Sequence, residues 1–587
     1  MSSSYKAPLQ DIFFLLEEVL DWQQLFSLSD FKELDRESAM AVLEEGAKLA
    51  EEVIAPINGP GDEQGCRLKE GRVVLPEGYG EAFDTFATNG WFGVDLPGEY
   101  GGQGLPWLVQ TAFSEMLSAA SLAFGMMPIS SRAAAWLLHE HADEELRQLV
   151  IPNIASGRWT TTIAISEAQA GSDVGRINTK AKPSKDNRYL VSGTKIFISW
   201  ADHSLAEQIV HLVLARTEGA PAGPRGLSLF LVPRIDFDTG KLNGVSVSRV
   251  EKKMGLKGSP TCVVEFEDAL GYRIGQEHQG LNTMFTMMNI MRMECATQGV
   301  GIATAALQRA TVYALERPQG GPSGQAPHLI IEHADVRRML LGMKARTGAM
   351  RALLYQLAFF LDQARSSEAS SEQAGYSAIA EFLLPVCKTC SAENGFETAN
   401  HALQVFGGHG YVADAGIEQY VRDARVISIY EGTSGIQAQD LVKRKLLGDG
   451  GERYQLLSSC MKNDLGQLAQ DRLGVIHSAV TSGLAQLDRC TQSLLDDAAS
   501  KDSWSNWVAS DYLQLVGLVA GGWMWLRMAA AAGGNSRFHQ EQRMLAEFYA
   551  DWVMAEIPAR VTRIENDTAE LDKLSAELFD DLQEKMK

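Results

Sequence analysis

Trp159-Thr160-Thr161-Thr162-Ile163-Ala164-Ile165 marks a change of pattern in the chain. From here short β-branched runs replace apolar residues at helical spacing. The runs that follow are Tyr189–Ser192, Lys195–Trp200, Ile209–Ala215, Leu227–Val232, Val245–Val250 and Cys262–Phe266, with Gly, Pro, Asn and Asp between them. Runs of this length, punctuated by turn residues, predict an antiparallel sheet domain over 159–280. No long helical pattern separates the runs, which argues against a doubly wound parallel sheet.

Outward from that stretch the reading is helical on both sides. Upstream, 36–158 forms one helical domain. Asp35 is placed to cap a helix whose apolar face is Ala39, Val42, Leu43, Gly46, Ala47, Ala50, Val53 and Ile54, and Pro56 is expected to end it. Residues 1–35 are an N-terminal helical extension. Downstream, 281–447 is rich in Ala, Leu and Met and is broken by a Gly- and Pro-rich loop at Pro318–Pro327. Gly448-Asp449-Gly450-Gly451 reads as a linker or sharp turn, followed by a further helical domain over 448–587.

Composition narrows the function. The chain has 587 residues, with 53 Lys and Arg against 74 Asp and Glu, a net charge of −21. Phosphate neutralisation needs clustered Lys and Arg, so no nucleic-acid partner is expected. Seven cysteines in so long a chain fit a reducing compartment and no disulfide scaffold. The run Tyr512–Leu526 is short of the ~20 residues that span a bilayer, and reads as a buried helix, not an integral span. Neither end reads as a targeting signal, so a cytoplasmic location is expected.

Common catalytic machinery is missing: there is no Gly-x-Gly-x-x-Gly after a strand, Walker loop, Gly-x-Ser-x-Gly or His-Glu-x-x-His. His139-Glu140-His141 diverges on a helix, and Cys387-Lys388-Thr389-Cys390 reads as helical core, so no metal is expected. Three glycine-rich segments are unusual for helical surroundings, where each Gly costs about 1 kcal/mol against Ala. They are Ser166–Asp173, Gln404–Tyr411, and Arg422–Arg425 with Ile429–Ser434.

Together with Tyr100–Gly104, Lys195–Ser199, Lys253-Met254-Gly255, Phe266-Glu267-Asp268 and Glu316-Arg317, these segments resemble, in order, the motifs of the acyl-CoA dehydrogenase family over about residues 36–446. The resemblance implies an α+β fold: helical domain, central antiparallel β-domain and helical bundle, here with an extra C-terminal helical domain. It implies FAD, and α,β-dehydrogenation of an acyl-CoA with electrons passed to an electron-transfer flavoprotein. Glu431 matches the family's catalytic base. An apolar, closed site would raise its pKa into the working range. Its backbone N–H would share the thioester oxygen with a flavin hydroxyl. An alternative base position, just before an arginine in an earlier helix, is Met291 here, which cannot act as one.

By the same resemblance, Ile165, Ser166, Gly171, Ser172, Phe197, Ser199, Arg317, Gln404, Gly407, Gly408 and Thr433 contact the flavin. Ser172, Arg292, Tyr430 and Gly432 contact the substrate. Phe197 stands where tryptophan is common and can still stack. Arg317 resembles an arginine that reaches a neighbouring subunit's flavin, which implies a homodimer or higher homo-oligomer. Met126, Met127, Pro128 and Ile129, with Met284, Met287, Met288 and Met291, suggest a pocket for a straight medium or long acyl chain. An oxidase would share the base and flavin. A DNA-binding relative would need a basic C-terminal domain, and 448–587 has no basic run.

Overall fold

The computed structural model describes residues 5–365, 371–468, 470–497, 502–566 and 568. The chain forms two compact units. The first takes in residues up to Leu9, Phe31–Gln308 and Gly407–Ile427. The second takes in Gln10–Asp30, Arg309–Phe406 and the chain from Ser428 on.

In the first unit, helix α1 (Arg36–Leu49) starts where Asp35 accepts a hydrogen bond from the Ser38 amide at 2.7 Å. Ala39, Leu43 and Ala47 are buried along it, as the spacing predicts. Pro56 does not end the helical path. The chain passes through a π turn (Ala50–Ile54) into a 3-10 turn (Ala55–Ile57), where Pro56 sits in the first turn and its missing N–H costs nothing. Helices α2 (Trp107–Ala120) and α3 (Leu122–His141) meet at Ser121, whose hydroxyl caps α3. Asp143 caps α4 (Glu144–Ala155).

The sheet has seven strands: β1 (Trp159–Ala164), β2 (Lys180–Pro183), β3 (Arg188–Ser199), β4 (Gln208–Thr217), β5 (Leu227–Pro233), β6 (Val245–Val250) and β7 (Thr261–Ile274). It is mixed, not wholly antiparallel. β1 runs parallel to β4, with Trp159 opposite Gln208, and β2 also pairs parallel with β4. The other pairings are antiparallel, and β4 with β5 closes the path β4-β2-β3-β7-β5 on itself. The parallel pairs arise because β1 reaches β4 only after the β2–β3 hairpin, a connection long enough for a crossover. Val213, Phe230, Val232, Val264 and Phe266 fill one face. Leu212, Leu214, Leu229 and Leu231 face Ala133–Leu138 of α3. Helix α5 (Gly280–Glu316) follows the sheet.

The second unit is a helical bundle. Its helices are α6 (Ala334–Arg365), α7 (Ser371–Phe406), α8 (Ser434–Gln439), α9 (Glu452–Gln467), α10 (Gln470–Asp497), α11 (Asp502–Ala531), α12 (Arg537–Phe548) and α13 (Ile557–Glu565). The segment Trp504–Ala531 is the one helix among the described residues long and apolar enough to cross a membrane by composition, and 83% of its most apolar window is buried. It packs against α6, α7, α8 and α10, with the Trp525 indole N–H donating to the Ala345 carbonyl at 2.9 Å. Residues 10–30 belong to this bundle. Phe14 meets Phe538 at 5.2 Å between ring centroids, and Arg527 donates to the Val19 carbonyl at 2.7 Å.

Candidate active site

In the first unit, the turn after β1 is stitched to β3 by both backbone and side chain. The Ile196 amide donates to the Ser166 carbonyl at 2.9 Å. Lys195, fully buried, donates to the Ile165 carbonyl and to Glu167 Oε1, both at 2.9 Å. Glu167 also accepts from the Thr179 hydroxyl at 2.6 Å and from the amides of Asn178 and Thr179. Burial pushes the Glu167 carboxyl up, but Lys195 and these donors outweigh it and hold the group at about 2.

In a regular strand Lys195 and Phe197 would share a face. The register shift between Lys195 and Ile198, with Phe197 at φ +62°, breaks that alternation. The Lys195 ammonium goes inward and the Phe197 ring outward, where it is 63% exposed. Ile165, Ser166 and Ser199 are half-buried beside it in the chain pairing, and Gly171 and Ser172 are exposed on the same turn. An outward aromatic ring at a strained bulge, next to accessible backbone and hydroxyl groups, fits the flat ring system of a flavin.

On α5, Arg292 is buried, its guanidinium 5.9 Å from the centroid of Phe285. Arg132 nearby in the same unit is neutralised twice, by Asp95 and by Glu294 at 2.8 Å each, with the Trp136 indole donating to Asp95. Met284, Met287 and Met291 belong to the core cluster with Ile129 and Leu137. Much of the methionine-rich wall is therefore core packing. The Gln298 amide donates to the Met126 sulfur at 3.2 Å.

The second unit carries the carboxylate turn. Glu431 is half-buried at φ +54°, and Gly432 follows at φ +90°. A left-handed backbone costs a non-glycine residue about 1–2 kcal/mol, so it persists only where the surroundings over-determine it. They do so here. Gln437 Nε2 donates to the Glu431 carbonyl at 3.0 Å, and Lys388 Nζ to the Gly432 carbonyl at 2.8 Å. Thr433 caps α8 by accepting from the Ile436 amide. A Cβ on Gly432 would lie 2.6 Å from Gln437 Nε2, so the position requires glycine twice over. Tyr430 is half-buried beside it.

Near the end of α5, Tyr313 stacks on Phe406, the last residue of α7, at 4.0 Å between ring centroids. Arg317 is half-buried, and Gln404, Gly407 and Gly408 are exposed. The sequence reading passed over Lys388 because it lies between two buried cysteines. The available signal was an ammonium directly after the apolar helix segment Phe382–Cys387.

The first unit thus carries an outward aromatic ring on a strand bulge, and the second a carboxylate on a strained turn. The chain matches the acyl-CoA dehydrogenase N-terminal domain over residues 36–158, the middle domain over 162–269 and the C-terminal domain over 278–446. Residues 459–574 match the acetyl-CoA dehydrogenase C-terminal-like domain. The 3-methylmercaptopropionyl-CoA dehydrogenase of Ruegeria pomeroyi is 38% identical, over 96% of this chain and 98% of that protein. The broad-specificity linear acyl-CoA dehydrogenase FadE5 of Mycobacterium tuberculosis is 32% identical, over 97% and 99%. Among solved structures, Caenorhabditis elegans ACDH-11 in complex with C11-CoA superposes with a TM-score of 0.78 at 21% identity, covering 97% of this chain and 98% of that one. The FAD-complexed acyl-CoA dehydrogenase of Bacillus anthracis gives 0.75 at 21%, covering 97% and 94%. The chain belongs to the acyl-CoA dehydrogenase family and is an FAD-dependent oxidoreductase.

Proposed function

We propose that this enzyme converts a linear, uncharged acyl-CoA to the trans-2-enoyl-CoA, with Glu431 as the base. The observation that carries the reading is the Glu431 turn, whose costly left-handed backbone is held by two buried side chains. Glu431 takes the α-proton onto its carboxylate. Its own backbone N–H would share the thioester oxygen with a flavin hydroxyl as enolate charge develops, with Gly432 contacting the substrate beside it. FAD, when bound, would supply the acceptor for the β-hydride, a role no side chain can fill. Ile165, Ser166, Gly171, Ser172, Phe197, Ser199, Arg317, Gln404, Gly407, Gly408 and Thr433 would hold it. Ser172, Arg292 and Tyr430 would contact the acyl-CoA.

One relative is named for linear acyl-CoAs and the other for 3-methylmercaptopropionyl-CoA, whose acyl chain is unbranched and uncharged, and the Arg132 charge is already spent on Asp95 and Glu294. This supports an uncharged chain. With Met284, Met287 and Met291 in the core, a short thioether chain is a second candidate beside a medium or long one. Exposed Tyr411 and Val412 support a second copy covering this segment in a homodimer. Electron-transfer flavoprotein is the proposed acceptor in the cytoplasm.

Anaerobic titration of the yellow holoenzyme with a series of straight-chain acyl-CoAs and 3-methylthiopropionyl-CoA tests this. Bleaching by the preferred chain is expected in the native protein and lost in Glu431→Gln, with flavin retained. Normal bleaching of Glu431→Gln would remove the base assignment.

A further inference from the structure

Lys388 is fully buried in the middle of α7. A buried ammonium is costly unless it is paired and hydrogen-bonded, so its placement calls for a reason. Its Nζ is 2.8 Å from the carbonyl of Gly432, the residue after the proposed base. One turn further along α7, Glu393 accepts from the Ser434 side chain, the first residue of α8, and from Gln514 of α11. Burial raises the half-buried Glu393 carboxyl, and the Ser434 hydrogen bond is the main influence lowering it, with Lys388 acting in the same direction. α7 thus grips the turn 431–434 at both its ends, and Gln437 closes it from α8.

We propose that Lys388 is a positioning residue for Glu431: its buried ammonium holds the Gly432 carbonyl, fixing the peptide planes that aim the carboxylate and the Glu431 N–H. Gln437 does the same for the Glu431 carbonyl. The network reaches α11 through Gln514, so the C-terminal helices belong to the support of the reacting turn. The inference rests on Glu431 being the base.

Lys388→Met in the FAD-loaded enzyme removes the ammonium while keeping an apolar chain of similar length. A misaimed reactive group costs on the order of 100-fold in rate. The expected result is a fall of about 100-fold in the bleaching rate, with the KM for acyl-CoA changed less than about 3-fold. The isotope effect from α-deuterated substrate should rise, because proton abstraction becomes limiting. Combined with Glu431→Gln, the variant should add no further loss. A structural role alone would lower Tm and leave the isotope effect unmoved, and that pattern overturns the proposal. If Lys388→Met does not fold, Gln437→Met decides: a slower rate with a raised isotope effect supports the proposal, and native values overturn it. The base reading is tested apart. An active Glu431→Gln sinks that reading, whereas an inactive Glu431→Gln with a normal Lys388→Met sinks only this one.

Discussion

Glu167 and Lys195 show what one buried ion pair does at the turn proposed to hold the flavin. Removing one partner of a buried pair costs about 3–5 kcal/mol, because the other charge is left without compensation. Lys195→Met should therefore destabilise the first unit by about 3 kcal/mol and loosen FAD, read as free flavin fluorescence on dilution. The pH dependence has a definite sign. Glu167 is held at about 2 against an ordinary 4.5, so the folded state binds fewer protons in that window. Its contribution is complete above about pH 4.5 and is lost as pH falls toward 2. FAD retention in the native protein should fall across that window. In Lys195→Met burial becomes the dominant influence on Glu167, so the acid step should vanish from this range. A step identical in both proteins would show that the pair does not control the turn.

At the scale of elements, α11 is packed closely at two of its glycines. A Cβ on Gly521 would stand 2.3 Å from the Tyr549 hydroxyl, and one on Gly517 would stand 2.4 Å from the Cys390 sulfur. Tyr549 is buried and its hydroxyl donates to the Leu518 carbonyl, so the ring has little room to retreat. Gly521→Ala should cost about 1–3 kcal/mol by overpacking, against the slight gain Gly→Ala gives in an open helix. Urea unfolding measures it, and a more stable variant would show that α11 is loosely packed. The period of the apolar residues made α1 legible, and β-branched runs made β4, β5 and β6 legible. The reading split β3 in two at Gly193-Thr194, because a bulge that keeps pairing on both sides looks the same as a turn. It stopped β7 at Phe266, because Glu267 and Asp268 are polar while the ladder continues to Ile274. The parallel pairing of β1 and β4 joins residues nearly fifty apart, and no local pattern carries that. The segments bearing Ser166, Phe197 and Glu431 were found by motif. Lys195 with Glu167, and Lys388 with Gly432, act through contacts distant in sequence, and Gln437 acts on a residue six positions away, so these roles became visible only when folded.

At the scale of the molecule, the second unit draws on three separated stretches of chain, and its core is shared among them. Residues 10–30 contribute buried Ile12, Leu15, Leu16, Trp22 and Leu25. The stretch after Gly448 contributes α11, whose Trp525 lies against Gly348 of α6 and whose Gly517 meets Cys390 of α7. A chain ending at Leu447 would therefore expose apolar faces of α6 and α7 over much of their length, an exposed patch of the kind that drives association. It would also strip Gln514 from Glu393, and so from the helix that holds the Glu431 turn. That truncation should aggregate on expression. Any soluble fraction should fail to bleach with acyl-CoA even when supplied with excess FAD. Light scattering and anaerobic titration are the two measurements. A monodisperse, yellow, fully active 1–447 protein would show that α11 only covers a bundle able to stand alone. Cofactor retained with bleaching lost would instead locate the contribution of residues 448–587 in the reacting turn.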